Sequence, residues 1–177
     1  MNQRFIDPSE ILKQLKLKES MVAADFGSGS GGWVMPLAKI LEEGKVYAID
    51  ILEEPLSALK SRARLENLFN IDIIQSDVEA ARGSKLSDSS CDLVLMTNLL
   101  FECDNKKTVL EEGKRILKSG GKILVVDWEK DNPLTPEVEK VSVEGIKKIA
   151  RELNFKIEKE FKAGLYHWGL ILAKPRT

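Results

Sequence analysis

The order of apolar segments predicts an α/β sandwich of three layers, built on a mainly parallel sheet that contains one antiparallel strand. Three observations carry this. Short apolar runs alternate with helical stripes from residue 21 to residue 153, and parallel strands need long crossovers that helices normally supply. The first run ends in a glycine cluster and the next two end on or just before an aspartate, Asp50 and Asp77; the carboxyl ends of such strands are where ligands bind. The last two runs are joined by Ala163-Gly164, a link too short for a crossover, so the chain closes with an antiparallel hairpin.

Each element has its own signal. Asp7-Pro8-Ser9 leads into a short helix with Ile11, Leu12 and Leu15 on one face. Residues 21–26 form a buried strand closed by glycines. Residues 33–41 read as helix, with Pro36 tolerated near the first turn. Residues 45–50 are the second strand, after which Pro55 opens a helix carrying Leu56, Leu59 and Ala63 at helical spacing. Residues 71–74 are the third strand and residues 92–96 the fourth. Val109, Leu110, Ile116 and Leu117 stripe the next helix, which Gly120-Gly121 ends before a fifth strand at 122–127. Ser142 caps a helix with Val143, Ile146, Ala150 and Leu153 inward, and Asn154 supplies a left-handed stop. Residues 155–161 alternate in period two, and residues 166–173 are the last strand. The pattern amounts to five strand–helix units and a hairpin, with polar loops at 81–90 and 129–137.

Composition excludes several classes. A chain of 177 residues with 43% hydrophobic content fits one domain, residues 1–177, with a full core. Lys+Arg 27 against Asp+Glu 28 argues against nucleic acid held by a large basic field. From Lys140 onward nine basic residues face four acidic ones, which reads as a solvated face. Cys91 and Cys103 are too few for a disulfide framework or a four-thiolate metal site. The first ten residues lack a signal-peptide pattern, and no apolar run approaches the roughly 18 residues of a membrane helix, so a cytoplasmic location is expected. Nothing in the sequence sets an oligomeric state.

The loop at residues 25–32, DFGSGSGG, satisfies two glycine patterns. Gly27, Gly29 and Gly32 fit the dinucleotide fingerprint, whereas Gly27, Gly29 and Gly31 fit a tighter loop. Asp25 sets anion against anion beside a pyrophosphate but helps a ligand with a sulfonium and an ammonium group; it can also serve by accepting N–H groups of the loop. Asp50 stands where a carboxylate accepts both ribose hydroxyls, and Asp77, with Val78 beside it, where one accepts an adenine amino proton. Both also suit helix caps or solvated strand ends. The closing hairpin is foreign to the usual dinucleotide fold.

With these residues in view, the chain resembles the class I S-adenosylmethionine-dependent methyltransferases. The matching stretches are AADFGSGSGG, VYAID, IIQSDVE, CDLVLMTNLL, LKSGGKILVVDW and YHWGLILAKP, in family order from Met21 to Pro175. Within the family it is most similar to the small-molecule branch that includes quinone-biosynthesis methyltransferases. The resemblance implies a Rossmann-like core at residues 21–177, with sheet order 3-2-1-4-5-7-6 and strand 7 antiparallel, and an N-terminal segment at 1–20 capping the site. It implies S-adenosylmethionine as cofactor, S-adenosylhomocysteine as product and no metal. The cofactor residues it implies are Asp25, Gly27, Ser28, Gly29, Gly31, Asp50, Ile51, Asp77, Val78, Asn98 and Leu99.

The acceptor is expected above the carboxyl ends of strands 1, 4 and 5, near Phe101, Glu102, Asp127, Trp128, Tyr166 and Trp168, with Arg4 and Phe5 folding over the mouth. A small molecule is the expected acceptor. Residues 96–100 (MTNLL) lack the Asn/Asp-Pro-Pro-aromatic motif of enzymes acting on DNA bases and protein amides, and the two cysteines fall short of the thiolate set of an arsenic methyltransferase. His167, the one histidine, is the candidate general base for a hydroxyl acceptor; it equally suits a structural place beside its aromatic neighbours. A protein or RNA acceptor, or a cofactor-binding subunit that needs a partner, are the alternatives.

Overall fold

The computed structural model describes residues 6–129 and 141–176. Seven strands form one sheet: β1 (Val22–Phe26), β2 (Lys45–Asp50), β3 (Ile71–Gln75), β4 (Cys91–Thr97), β5 (Leu117–Trp128), β6 (Lys156–Lys162) and β7 (His167–Ala173). Their order is β3-β2-β1-β4-β5-β7-β6. All pairings from β3 to β5 are parallel, and β7 is antiparallel to both β5 and β6. The expected topology holds in full.

Among the described residues five helices cover the two faces: α1 (Pro8–Leu12), α2 (Val34–Ile40), α3 (Glu53–Leu65), α4 (Lys106–Ile116) and α5 (Val143–Glu152). Alternation along the strands divides the core in two. Ala24, Phe26, Val94, Met96, Val125 and Leu170 pack towards α4 and α5, while Ala23, Val46, Ala48, Leu95, Val126 and Ile171 pack towards the first three helices. Central strands buried on both faces read as near-continuous apolar runs, which is why β4 and β7 stand out in the sequence. The described part of the N-terminal segment places Ile11, Leu12 and Leu15 in the second cluster, with α1 against α2. Leu15 and Leu17 continue past the amino ends of β1 and β4. The predicted mouth residues Arg4 and Phe5 lie outside the described residues.

Three details depart from expectation. Four strand–helix units are present rather than five, because the chain from β3 to β4 contains turns and no helix. That polar stretch has no helical apolar stripe, and it is tied to α4 instead. The buried Glu112 carboxylate accepts the backbone N–H and the hydroxyl of Ser84, and Arg115 bridges Glu112 at 2.7 Å and Asp88 at 2.6 Å.

Next, α4 stops at Ile116 and Leu117 is already extended, paired with Cys91. Gly120, at φ +76°, shapes an irregularity within β5 where Leu93 resumes the register with Lys122. Last, the period-two reading of the sixth strand is interrupted by a register shift between Ile157 and Lys159. Ile157 therefore packs with the α4–α5 side and Phe161 with the other. The Phe161 ring lies over Gly169, where a Cβ would stand 2.3 Å from it.

Candidate functional site

The loop after β1 turns sharply because two N–H groups converge on one carbonyl: Gly27 and Ser28 donate to the Ile49 oxygen at 2.8 and 3.0 Å. Gly27, Gly29 and Gly31 have φ of +70°, +50° and +89°, whereas Gly32 does not enter the left-handed region. The tighter of the two glycine patterns is thus the one the backbone uses. A Cβ at Gly27 would meet Leu99 Cδ1 at 2.8 Å, and one at Gly31 would meet Leu59 Cδ1 at 2.3 Å. Gly29 has nothing within 4 Å of such an atom, so its bare backbone is open to a ligand.

Asp50 ties this loop to the end of β2. Its Oδ2 accepts the Gly29 N–H at 2.8 Å and its Oδ1 accepts the Leu52 N–H at 2.9 Å. Each carboxylate oxygen retains a second lone pair. One oxygen of Asp77 accepts the Glu79 N–H at 2.8 Å. Asn98, at φ +49°, ends β4 and donates its N–H to the Val126 oxygen.

These groups line one cleft of about 450 Å³ at the carboxyl ends of β1 to β4. Of the sequence-predicted cofactor residues, Gly27, Gly29, Asp50, Ile51, Asp77, Val78, Asn98 and Leu99 line it, and so does Glu102 from the expected acceptor group. The cleft also takes Ile49, Leu52, Pro55, Ser76, Glu79 and Cys103, none of them a site residue expected from the sequence. Leu52 and Pro55 carry no motif, whereas Ser76 and Glu79 flank Asp77 and Val78 in the matching stretch IIQSDVE without a residue type that marks a ligand contact. Gly31 stands behind the loop, where it lets Leu59 approach.

Asp25, in β1, and Ser28, in the loop itself, are buried and do not line the cleft. Asp25 is 1% exposed and neither of its oxygens has a hydrogen-bond partner; the Ser28 hydroxyl is likewise buried and unpartnered. Burial, with Asp50's charge adding to it, pushes the Asp25 carboxyl well above the usual carboxylate range. Accepting loop N–H groups, one of the two roles open to Asp25 in the sequence, is taken by the Ile49 carbonyl and Asp50 instead. A buried acid left without a partner fits a ligand that brings a cation to this strand end.

The remaining expected acceptor residues are placed differently. Asp127 is fully buried and its two oxygens accept the Phe101 N–H at 3.2 Å and the Trp128 N–H at 2.8 Å. Trp168 is 3% exposed and donates its indole N–H to the Trp128 oxygen at 3.0 Å. Phe101 and Trp168 belong to the core under α4 and α5. Asp127, Phe101 and Trp168, expected beside the acceptor, therefore hold the ends of β4, β5 and β7 together and expose almost no surface of their own. Tyr166 is half-buried before β7, its carbonyl accepting the Glu129 N–H.

His167 packs its ring against Trp128, 4.0 Å between centroids, with Nε2 buried and unpartnered. Burial lowers its pKa to about 4. Cys91 opens β4 and Cys103 lies in the connection between β4 and α4, and burial pushes their thiols up to about 11 and about 12. Such thiols are protonated and poor nucleophiles at neutral pH. Among the described residues no helix is long and apolar enough to cross a membrane.

A sheet in this order, with a glycine loop over its first strand and acids ending the next two, defines a Rossmann-like cofactor-binding domain. A family profile described as a methyltransferase domain matches residues 17–164. The crystal structure of a SAM-dependent methyltransferase from Aquifex aeolicus superposes with a TM-score of 0.84 at 29% identity, covering 96% of this chain and 90% of that one. The demethylmenaquinone methyltransferase of Geobacillus stearothermophilus is 27% identical over 113 residues, 63% of this chain and 47% of the relative. The arsenite methyltransferase of Aquipseudomonas alcaligenes is 29% identical over 119 residues, 64% of this chain and 34% of the relative. The chain thus spans about half or less of the length of these curated relatives. It belongs to the class I S-adenosylmethionine-dependent methyltransferases, and S-adenosylmethionine is its cofactor.

Proposed function

We propose that this chain transfers a methyl group from S-adenosylmethionine to a small-molecule acceptor, in line and without a covalent enzyme intermediate. The observation that carries the reading is the unpartnered, fully buried Asp25 carboxylate in β1, before a loop whose Gly29 backbone opens on the cleft. The cofactor supplies an already activated methyl group on a sulfonium centre. Asp25, with Ser28, receives the ammonium end, and Asn98 and Leu99 flank the methionine portion. Asp50 accepts the ribose hydroxyls on its remaining lone pairs, while Ile51 and Val78 cover the adenine and Asp77 accepts its amino proton. Gly27 and Gly31 let the loop lie close to Leu99 and Leu59.

Glu102, Trp128, Tyr166 and Phe5 are the acceptor-side residues of this proposal, with Asp127, Phe101 and Trp168 supporting them from the core. His167 is its general base. At pH 7 the imidazole is neutral, so its lone pair is free, and its low basicity confines proton uptake to the moment at which methylation makes the acceptor acidic. Protein-imposed proximity carries the remainder of the catalysis. The demethylmenaquinone methyltransferase relatives favour a small-molecule acceptor of the quinone type.

A tritiated-methyl assay on cell extract, fractionated into small molecules, protein and RNA, examines this directly. Label in the small-molecule fraction that is lost in Asp50→Ala supports the proposal. Label in protein or RNA replaces the acceptor class, and no transfer to any fraction makes the chain a cofactor-binding subunit that needs a partner. Full turnover by His167→Ala removes the base.

A further inference from the structure

The cleft has two facing walls that come from distant parts of the sheet. One is the chain after β3, with Ser76, Asp77 and Glu79; the other is the chain after β4, with Asn98, Leu99 and Cys103. In the order β3-β2-β1-β4 these strand ends stand three steps apart, roughly 14 Å at the usual strand spacing. Sheet pairing alone leaves the gap between the two loops unfixed.

Glu79 crosses that gap. Its two carboxylate oxygens accept successive backbone N–H groups of the opposite wall, Oε1 from Asp104 at 3.3 Å and Oε2 from Asn105 at 2.6 Å. Asn105 is the N-cap of α4, with its own side chain accepting the Thr108 N–H. The carboxylate therefore sits at the positive end of an 11-residue helix, where a negative charge is favoured. On its own side, the Glu79 N–H is the donor to Asp77 Oδ1. Asp77, Glu79, Asn105 and α4 form one continuous hydrogen-bonded brace. A carboxylate matches this double donor pair with charge-assisted bonds; an amide matches only half of it, because its NH2 group faces an N–H.

We infer that Glu79 is a positioning residue that holds the adenine end of the cleft at its working width, by clamping the β3 loop to the start of α4. This rests on the reading that the cleft holds the adenosine portion of the cofactor. The residue touches no reacting atom, and its effect is on affinity at one end of the ligand. Loss of the brace therefore weakens adenosine as much as it weakens the whole cofactor. Loss of Asp25, at the other end, weakens the whole cofactor and leaves adenosine untouched.

The experiment is calorimetric titration of wild type, Glu79→Gln, Glu79→Ala and Asp25→Asn with S-adenosylhomocysteine and with adenosine, each below its thermal midpoint. Glu79→Ala is expected to raise both dissociation constants by the same factor, about tenfold, and Glu79→Gln by about threefold through the one bond it keeps. Should Glu79→Ala not fold, Glu79→Gln alone decides. A purely structural role would lower the thermal midpoint and leave both constants unchanged, which overturns the inference. A loss confined to S-adenosylhomocysteine, with adenosine unaffected, overturns it too. Failure of wild type to bind either ligand overturns the cofactor site itself, a result separate from any effect of Glu79.

Discussion

Replacing Gly31 by alanine asks which glycine pattern the loop obeys. Gly31 sits at φ +89°, where a side chain costs about 1–2 kcal/mol. The new Cβ would stand 2.3 Å from Leu59 Cδ1, against about 3.5–4.0 Å for a comfortable carbon pair. That methyl is the tip of a leucine and can rotate, but Leu59 is fully buried, so the displacement falls at the lower end of overpacking costs, about 1 kcal/mol. Together these make about 2–3 kcal/mol, which in a domain of this size lowers the thermal midpoint by roughly 4–12 °C.

Gly32→Ala is the control. It has no positive φ and nothing within 4 Å of a Cβ, so its change should stay within about 0.5 kcal/mol. Thermal unfolding followed by circular dichroism reads both. Adding Leu59→Ala to Gly31→Ala should be less than additive, since the cavity accepts the new methyl. Equal midpoints for the two alanine variants would refute this reasoning and reopen the dinucleotide pattern.

Three other outcomes follow from buried groups. Asp25 has its folded pKa raised above the unfolded value, so stability falls as pH rises past about 3.8 towards that folded pKa. Asp25→Asn should thus raise the midpoint at pH 8, with the gain shrinking towards pH 4, while weakening S-adenosylhomocysteine; an unchanged midpoint at pH 8 contradicts it. Glu112→Ala breaks the buried pair with Arg115 and should cost about 3 kcal/mol in denaturant unfolding. Burial pushes the Glu112 carboxyl up, but the bonds from Arg115 and Ser84 outweigh it and leave the pKa lowered. Its contribution is therefore present above about pH 4.5 and lost as pH falls through the folded pKa, so the variant should show a flatter acid limb. His167, lowered from 6.5 to about 4, contributes stability that is present above pH 6.5 and lost as pH falls towards 4; His167→Phe should flatten that slope, and an unchanged slope assigns it to other groups.

What the sequence revealed, and what it hid, follows from range. Strands buried on both faces are largely apolar, so β1, β4 and β7 were readable, and the ligand-facing ends announced themselves through Gly27, Gly29, Asp50 and Asp77. The strand order entered only through the resemblance. Features set by long-range hydrogen bonds were invisible. Asp127 looks like a strand-end acid in the sequence, yet it spends both oxygens on Phe101 and Trp128. Glu79 finds its partners 25 and 26 residues away. The missing helix after β3 is replaced by a tie from Ser84 to Glu112, and the split of Ile157 from Phe161 depends on a register shift that alternation cannot foresee.

The central claim is that the cleft between Gly29, Asp50 and Asp77 holds S-adenosylmethionine. Calorimetric titration of wild type and Asp50→Ala with S-adenosylmethionine, S-adenosylhomocysteine and NAD tests it most directly. Saturable binding of the first two, no binding of NAD and a strong loss in Asp50→Ala are predicted. Binding of NAD alone, or unchanged affinity in Asp50→Ala, would contradict the account.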